Sequence, residues 1–345
     1  MRILFMGSAG FACPCLETLL QKAGDVVVGV VTQPDRPKGR NLELSACPVK
    51  TYLGSRQIPV LSPEKINTAE SLAELRVLAP ELIVVVAYGQ LLKSELLAMA
   101  PLGIINVHGS LLPKYRGAAP IQWAVANGED VSGVTTMYLN ARMDAGDMIM
   151  KRELPIARTD TGGSYHDKLS LVGAELLSDT LELIRQGKAP RMAQCEAEVT
   201  VAPKLKKADG RIDWSLPADR IESRVRGFNP WPGSFCVIPS DGGKTIKVLS
   251  VRVEEGTHPR PLRGGELVGS QYSMLDPLMG RGGVGCDVGV APCGTVISLG
   301  GDGPLIQAGD GRAIRLLEVQ PEGRKSMTGA AFLCGYSLEV GLLVG

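Results

Sequence analysis

The sequence predicts an α/β protein in which a doubly wound, mostly parallel sheet is followed by a small antiparallel β-barrel. The first half alternates continuous apolar runs, such as Val26–Thr32, with segments of helical periodicity. Strands of a parallel sheet that is covered on both faces have this continuous apolar pattern. The repeated order of strand, helix and strand is typical of right-handed crossovers. The second half instead contains short strands separated by glycines, as antiparallel barrels do.

The individual elements of the first half follow from this alternation. Five apolar runs predict strands: Ile3–Met6, Val26–Thr32, Leu82–Gly89, Gly103–Gly109 and Gly133–Leu139. Four segments of helical period predict helices: Phe11–Leu20, Leu72–Pro80, Gln122–Asn127 and Gly163–Arg185. In open sheets of this kind, ligands bind at the carboxyl ends of the strands. The strands that end at Gly89 and His108 both bring polar residues to that edge.

A change in sequence texture after the long helix divides the chain. We expect one domain over residues 1–186, a linker over 187–208, and a second domain over 209–345. The linker prediction rests on proline and lysine residues without a clear period. The second domain is predicted to begin with a helix, Asp219–Arg226, and to continue as short strands. Its glycine-rich stretch 256–290 receives no role from the sequence.

Composition narrows the class of protein. The 345 residues are 44% hydrophobic and 21% charged, which is ordinary for a globular chain. A net charge of +1 provides no overall basic field, so local patches would have to meet any nucleic acid. No apolar run resembles a signal peptide or a membrane span, which predicts a cytoplasmic protein. The eight cysteines form no Cys-x-x-Cys motif, so we predict no metal site.

The strongest chemical signal is the pair Asn106 and His108 in "INVHG", at the end of a predicted strand. Residues two apart in a strand share a face, so both side chains should point to the ligand edge. Asp144 follows the neighbouring strand, in a loop that contains glycine. An amide, an imidazole and a carboxylate together can stabilise an oxyanion and move a proton. From the residues alone, a structural histidine and a turn-forming aspartate remain an open alternative.

The rest of the sequence limits what such a trio can do. No serine lies in a G-x-S-x-G setting, which argues against a covalent acyl-enzyme. Without a predicted metal, the protein must act by positioning, oxyanion stabilisation and proton transfer. Direct transfer of a small acyl group from a carrier nitrogen to an amine needs these three actions.

The stretches "NVHGSLLPKYRGAAPIQWA" and "MDAGDM" resemble the folate-dependent formyltransferase superfamily, and "FNPWPGSF" narrows the resemblance to the methionyl-tRNA formyltransferase family. The similarity runs almost end to end, from "MRILFMGSAGFACPCLETLL", "VTQPDRPKGR" and "VVVAYGQLL" to "RIDWSLPADRIESRVRGFNPWPGSF" and "LEVQPEGRKSM". It implies a Rossmann-like catalytic domain followed by an OB-like tRNA-binding domain. The implied reaction transfers formyl from 10-formyltetrahydrofolate to the amino group of methionyl initiator tRNA, without a covalent enzyme intermediate.

The resemblance also implies roles for particular residues of this chain. The implied catalytic residues are Asn106, His108 and Asp144. The residues implied to bind folate are Tyr88, Gly89, Ser110, Leu111, Leu112 and Pro113. The residues expected to contact tRNA are Arg36, Lys38, Arg40, Lys204, Lys206 and Lys207. These last six belong to two patches of four basic residues and one acidic residue each, and from the residues alone such patches are more often solvated surface than phosphate contacts. The expected partners are initiator tRNA and tetrahydrofolate, and we expect a monomer.

The sequence departs from the family pattern in its first loops. Asn41-Leu42-Glu43 stands where the family has consecutive lysines, which predicts less extensive contact with the tRNA acceptor stem. Ser8-Ala9 replaces Thr-Pro.

Two alternative functions stay open. One alternative is a formyltransferase that acts on a small amine, against which the FNPWPGSF segment argues. The other is an RNA-binding protein with an idle acyl-transfer site, against which the intact trio argues.

Overall fold

The computed structural model describes residues 1–38, 43–239, 243–254 and 291–345. The glycine-rich stretch 256–290 therefore lies outside the described residues. Contacts between Cα atoms divide the chain into two compact units. The first unit contains Met1–Lys206 and Arg226–Pro230, and the second contains Lys207–Val225 and Trp231–Gly345.

The first unit is built on a seven-stranded sheet. Two separate two-stranded pairs accompany it: β3 with β4, which are antiparallel, and β8 with β11, which are parallel. In chain order, the strands of this unit are β1 Arg2–Gly7, β2 Val26–Val31, β3 Arg36–Lys38, β4 Glu43–Ser45, β5 Val60–Leu61, β6 Leu82–Val86, β7 Ile104–His108, β8 Arg116–Gly117, β9 Val131–Tyr138, β10 Met148–Pro155 and β11 Val201–Ala202. The strand order in the large sheet is β10-β9-β7-β6-β1-β2-β5. The five strands from β7 to β5 are parallel, and β9 and β10 are antiparallel to their neighbours. The predicted mostly parallel sheet is thereby confirmed.

Helices cover both faces of this sheet. Those that precede the second unit are α1 Cys13–Gln21, α2 Pro48–Leu53, α3 Ala69–Val77, α4 Ser94–Leu97, α5 Pro120–Ala126 and α6 Gly162–Arg185. Successive residues of a strand point to opposite faces. In β1, Ile3 and Phe5 pack with α1 and α6 side chains, whereas Leu4 and Met6 pack with those of α3 and α4. The doubly wound arrangement is thus confirmed.

The predicted strand over residues 82–89 ends earlier in the structure, at Val86. Ala87 has a φ of 46°, which a strand does not tolerate, and the chain turns there. Strand β10 was not among the predicted elements. Its exposed positions carry Lys151 and Glu153, and the strand lies at the edge of the sheet, where charged residues are common.

The second unit is an antiparallel β domain. Its elements are α7 Ala218–Gly227, whose last residues group with the first unit, β12 Ser234–Ile238, β13 Lys244–Glu254, β14 Val296–Gly300, β15 Gly303–Gln307, β16 Ala313–Pro321, β17 Met327–Thr328 and α8 Gly329–Gly335. The strand order is β12-β13-β16-β15-β14, with β17 beside β16. The last residues of the chain hydrogen-bond to both outer strands: Val296 N–H donates to Leu342 O at 2.8 Å, and Gly345 N–H donates to Val237 O at 3.0 Å. These bonds close the sheet, as the predicted barrel requires.

The segment predicted as a linker lies against the first unit over most of its length. Residues up to Lys206 group with that unit, and β11 pairs in parallel with β8. Met192 also forms a two-way backbone bridge with Met148 of β10. These residues show no period of their own because hydrogen bonds to the first unit, and not a buried face, determine their structure. Among the described helices, none is long and apolar enough to cross a membrane.

Candidate active site

The end of strand β7 forms one wall of a cavity of about 990 Å³ in the first unit. Every residue of β7 is buried, and Asn106 and His108 are only 9% and 6% exposed. Both line the cavity, as their spacing of two in the strand predicts. The rest of the lining is mostly apolar and includes Phe11, Val85, Leu97, Ile121 and Leu139.

The imidazole of His108 makes one hydrogen bond that determines where its proton lies. Nε2 is 3.0 Å from the backbone carbonyl oxygen of Tyr115. A carbonyl oxygen can only accept, so Nε2 must carry a hydrogen and donate it. In the neutral imidazole, Nδ1 is therefore the unprotonated nitrogen. It faces Asp144, whose Oδ1 lies 3.8 Å away.

The structure brings Asp144 to His108, as the sequence predicts. At 3.8 Å the two groups are too far apart for a hydrogen bond and close enough for an ion pair when the imidazole is protonated. The other carboxylate oxygen, Oδ2, accepts a hydrogen bond of 2.9 Å from the Gly117 N–H. The Gly117 N–H thus helps to orient the Asp144 carboxylate while Oδ1 stays beside the imidazole. The Asp144 backbone has a φ of 49°, in the left-handed region that non-glycine residues rarely adopt.

A glycine close to Asp144 is needed for the path of its loop. A Cβ atom on Gly146 would lie 1.7 Å from the carbonyl oxygen of Tyr138, so no other residue fits without moving the chain. The close approach lets the loop fold back directly after β9. The motif "MDAGDM" therefore supplies both the Asp144 carboxylate and the glycine, Gly146, that lets the chain turn back.

Tyr88 and Gly89, predicted to bind folate, both line the cavity. Tyr88 is 2% exposed, and burial raises the pKa of its hydroxyl above the ordinary value. That hydroxyl is a buried polar group without a hydrogen-bond partner among the described residues. Gly89 has a φ of 90°, which keeps the backbone turned after the end of β6.

The loop Ser110–Pro113, also predicted to contact folate, is placed differently. Among the described residues that line the cavity, none comes from this loop. Ser110 and Leu112 are fully buried; the Ser110 hydroxyl donates to Lys114 O at 2.7 Å, and Leu112 N–H donates to Thr135 Oγ1 at 3.1 Å. The Leu111 side chain lies close to Gly133 of β9, and Pro113 follows a cis peptide bond. These contacts hold the chain between His108 and Tyr115 in one conformation. Contact of this loop with folate stays a prediction.

The residues predicted to contact tRNA differ in how fully the structure describes them. Arg36 is exposed and forms an ion pair of 3.1 Å with Glu64. Only the backbone of Lys38 is described, and Arg40 lies outside the described residues. Lys204, Lys206 and Lys207 are all exposed. An exposed lysine can contact a phosphate of tRNA. Exposure alone does not distinguish such a lysine from one that only faces solvent.

Sequence reasoning missed several residues that contact the site. Tyr115 accepts the hydrogen bond of His108, and Gln194 donates to the backbone of the Asp144 loop. Gln194 lies in a stretch without periodicity, so no sequence signal pointed to it. Within the described part of the chain, no three His, Cys, Asp or Glu residues are grouped as a metal site requires.

Comparison with known proteins identifies the family to which the chain belongs. Residues 1–181 match the formyl transferase family, and residues 204–337 match the C-terminal domain of formyl transferases. The chain is 42% identical over 345 residues to the methionyl-tRNA formyltransferase of Geobacter sulfurreducens, covering 100% of this chain and 97% of the relative. It is 44% identical over 336 residues to that of Desulfotalea psychrophila, covering 97% and 93%. The chain therefore belongs to the formyl transferase family, among relatives that are methionyl-tRNA formyltransferases.

A solved structure shows the same fold. The sugar 3N-formyl transferase WlaRD, determined in the presence of dTDP and 5-N-formyl-THF, superposes with a TM-score of 0.61. The two chains are 14% identical, and the match covers 94% of this chain and 99% of that one. At this identity the likeness concerns the fold alone.

Proposed function

We propose that this chain transfers the formyl group of 10-formyltetrahydrofolate to the amino group of methionyl initiator tRNA, with Asn106, His108 and Asp144 as its catalytic residues. The observation that carries the proposal is the contact of 3.8 Å between His108 Nδ1 and Asp144 Oδ1 at the wall of a large cavity. The methionyl-tRNA formyltransferases to which the chain is 42% and 44% identical support the choice of reaction and acceptor.

The reaction forms one bond and breaks another. The methionyl nitrogen attacks the formyl carbon, the bond from that carbon to the folate nitrogen breaks, and one proton passes from the amine to the leaving nitrogen. His108 Nδ1 is the atom suited to hold this proton, because the hydrogen on Nε2 is donated to Tyr115 O. General acid–base catalysis of this kind typically contributes about 10²–10⁴-fold.

Asn106 serves the oxygen of the formyl group. That oxygen becomes negatively charged when the carbonyl carbon turns tetrahedral, and the amide N–H of Asn106 can donate to it. Asn106 is only 9% exposed, so little water competes for the developing charge. Asp144 stabilises the imidazolium that His108 becomes, while the Gly117 N–H holds the carboxylate in place.

The cavity fits a folate-sized donor. Ligand pockets of about 300–1,000 Å³ with mainly apolar walls and a few polar groups hold molecules of that size. This cavity has that volume, apolar walls, and in Tyr88 a buried polar group at its lining. Tyr88 and Gly89 would hold the donor, and we retain Ser110–Pro113 as predicted backbone contacts. When bound, the donor supplies a formyl group already attached to a nitrogen that can leave.

The decisive experiment measures formyl transfer to charged and uncharged initiator tRNA, with and without 10-formyltetrahydrofolate. Product is expected only with the donor and the charged tRNA. Asp144→Asn is expected to lower kcat about a hundredfold, because the amide cannot stabilise the imidazolium. Asp179→Asn is the matched control, since Asp179 lies on the exposed face of α6 and, among the described residues, its side chain pairs only with Arg152 of β10. Parent-like activity of Asp144→Asn would contradict the catalytic assignment, and faster transfer to a small amine would favour the alternative acceptor.

A second experiment tests the tRNA contacts. Replacing Lys206 and Lys207 together by glutamine is expected to raise the KM for tRNA and to leave folate affinity unchanged. Each lost phosphate contact should reduce the slope of log affinity against log salt by about one. Lys188 and Lys325, also exposed, provide a control pair with the same change in net charge. An unchanged salt slope would assign Lys206 and Lys207 to solvated surface.

Arg36, Lys38, Arg40 and Lys204 belong to the same proposal, as further contacts of the two basic patches. The proposal also includes the predicted monomeric state and cytoplasmic location.

A further inference from the structure

We propose that Gln194 is a positioning residue that holds Asp144 beside His108, and that the segment 194–202 supports the active site. The inference rests on the proposed function, because it assigns Gln194 a role through Asp144. The segment lies within the region predicted to be a linker, and no residue of it was a predicted site residue.

The side-chain amide of Gln194 donates to two backbone carbonyls of the loop that contains Asp144. Its Nε2 donates to the carbonyl oxygen of Asp144 at 2.8 Å and to that of Gly146 at 2.8 Å. A non-glycine residue at positive φ persists only where surrounding contacts hold it. Asp144 is such a residue, and the two hydrogen bonds from Gln194 are contacts of this kind.

The orientation of the Gln194 amide follows from its third contact. Its Oε1 accepts a hydrogen bond of 2.9 Å from Nε of Arg116, which can only donate. The NH₂ group must therefore face the two carbonyls. Arg116 is held in turn by an ion pair of 3.2 Å with Glu196, and its side chain is only 10% exposed. Gln194 thus connects a buried, anchored guanidinium to the Asp144 loop.

The same segment acts on the Asp144 carboxylate by a second route. Val201 and Ala202 pair with Arg116 and Gly117, and Gly117 N–H is the donor to Asp144 Oδ2. The approach of the two strands is close, since a Cβ on Gly117 would lie 2.5 Å from Ala202 O.

A third contact reaches His108. Thr200 Oγ1 accepts a hydrogen bond of 2.8 Å from the N–H of Tyr115, and Tyr115 O accepts the Nε2 hydrogen of His108. One short segment therefore holds the partners of both members of the His108–Asp144 pair. Gln194 and Thr200 make these contacts through their side chains, so a substitution can remove them without altering the pairing of β8 and β11; of the two, Gln194 is the one that binds the Asp144 loop itself.

The test is a double-mutant cycle on formyl transfer to methionyl-tRNA. Gln194→Met is nearly isosteric and removes both amide donors. It is expected to lower kcat about 10- to 100-fold, since small displacements of a catalytic group are this costly. The KM values for tRNA and donor should change less than about threefold, because Gln194 is not among the residues that line the cavity. In an Asp144→Ala background the same substitution should lower kcat less than about twofold.

Gln186→Met is the matched control, because it removes an exposed side-chain hydrogen bond of 2.8 Å to Glu182 in the same unit, away from the site. Thermal melting reports whether Gln194→Met folds. If it does not, Gln194→Glu repeats the cycle, since it keeps the acceptor for Arg116 and lacks the donors. A kcat within twofold of the parent, or an equal loss with and without Asp144, would overturn the inference. A parent protein that transfers no formyl group would instead overturn the proposed function.

Discussion

His108→Ala is expected to lower kcat for formyl transfer about a thousandfold. The substitution removes the nitrogen that takes the proton from the attacking amine, and general acid–base catalysis typically contributes about 10²–10⁴-fold. It also removes the cation that Asp144 is placed to stabilise, so the two losses coincide instead of adding. Single-turnover measurements with preformed donor complex would report the chemical step directly.

Two companion measurements separate chemistry from structure at His108. Binding of tetrahydrofolate should stay within a few fold of the parent, because the cavity has many other lining residues. His108→Gln can still donate an amide hydrogen to Tyr115 O but provides no basic nitrogen, and it should lose as much activity as His108→Ala. Recovery of more than a tenth of the parent kcat in the glutamine variant would show that His108 acts by its hydrogen bond to Tyr115 alone.

Asn106→Ala is expected to lower kcat by about 10²–10³, the usual consequence of losing one oxyanion donor, or about 2.7–4 kcal/mol of barrier. The expected effect lies in kcat, since the donor matters most when the oxygen is negatively charged. Asn106→Asp keeps the size of the side chain and places negative charge near the developing oxyanion. It should therefore be at least as impaired as the alanine variant, and parent-like activity of Asn106→Asp would exclude the oxyanion role.

The sequence predicted the parts of the site that follow from strand geometry. Asn106 and His108 lie together because residues two apart share a face, and the end of β7 is the expected ligand edge of the sheet. The proximity of Asp144 was also predicted, from the position of its loop after a neighbouring strand. The hydrophobic pattern of the sequence was equally informative for the fold. Strand β6 carries a continuous apolar run, and β12 alternates between buried and half-buried residues.

What the sequence did not predict depends on hydrogen bonds between distant segments. Gln194 is 50 residues from Asp144, and its role follows from amide geometry that leaves no periodic trace. The supporting position of Ser110–Pro113 follows from contacts with Lys114 and Thr135, which a motif does not reveal. Strand β10 was missed because its charged residues interrupt the apolar pattern at the edge of the sheet.

The position of β7 has a consequence for the durability of the site. The strand has a bonded neighbour on each side, β6 and β9, and all its residues are buried. Amides in such a strand exchange with solvent only when the whole unit opens, whereas a surface loop can open alone. We therefore expect local fluctuations to displace the Asp144 loop more readily than Asn106 and His108, whose positions depend on the pairing of the whole sheet.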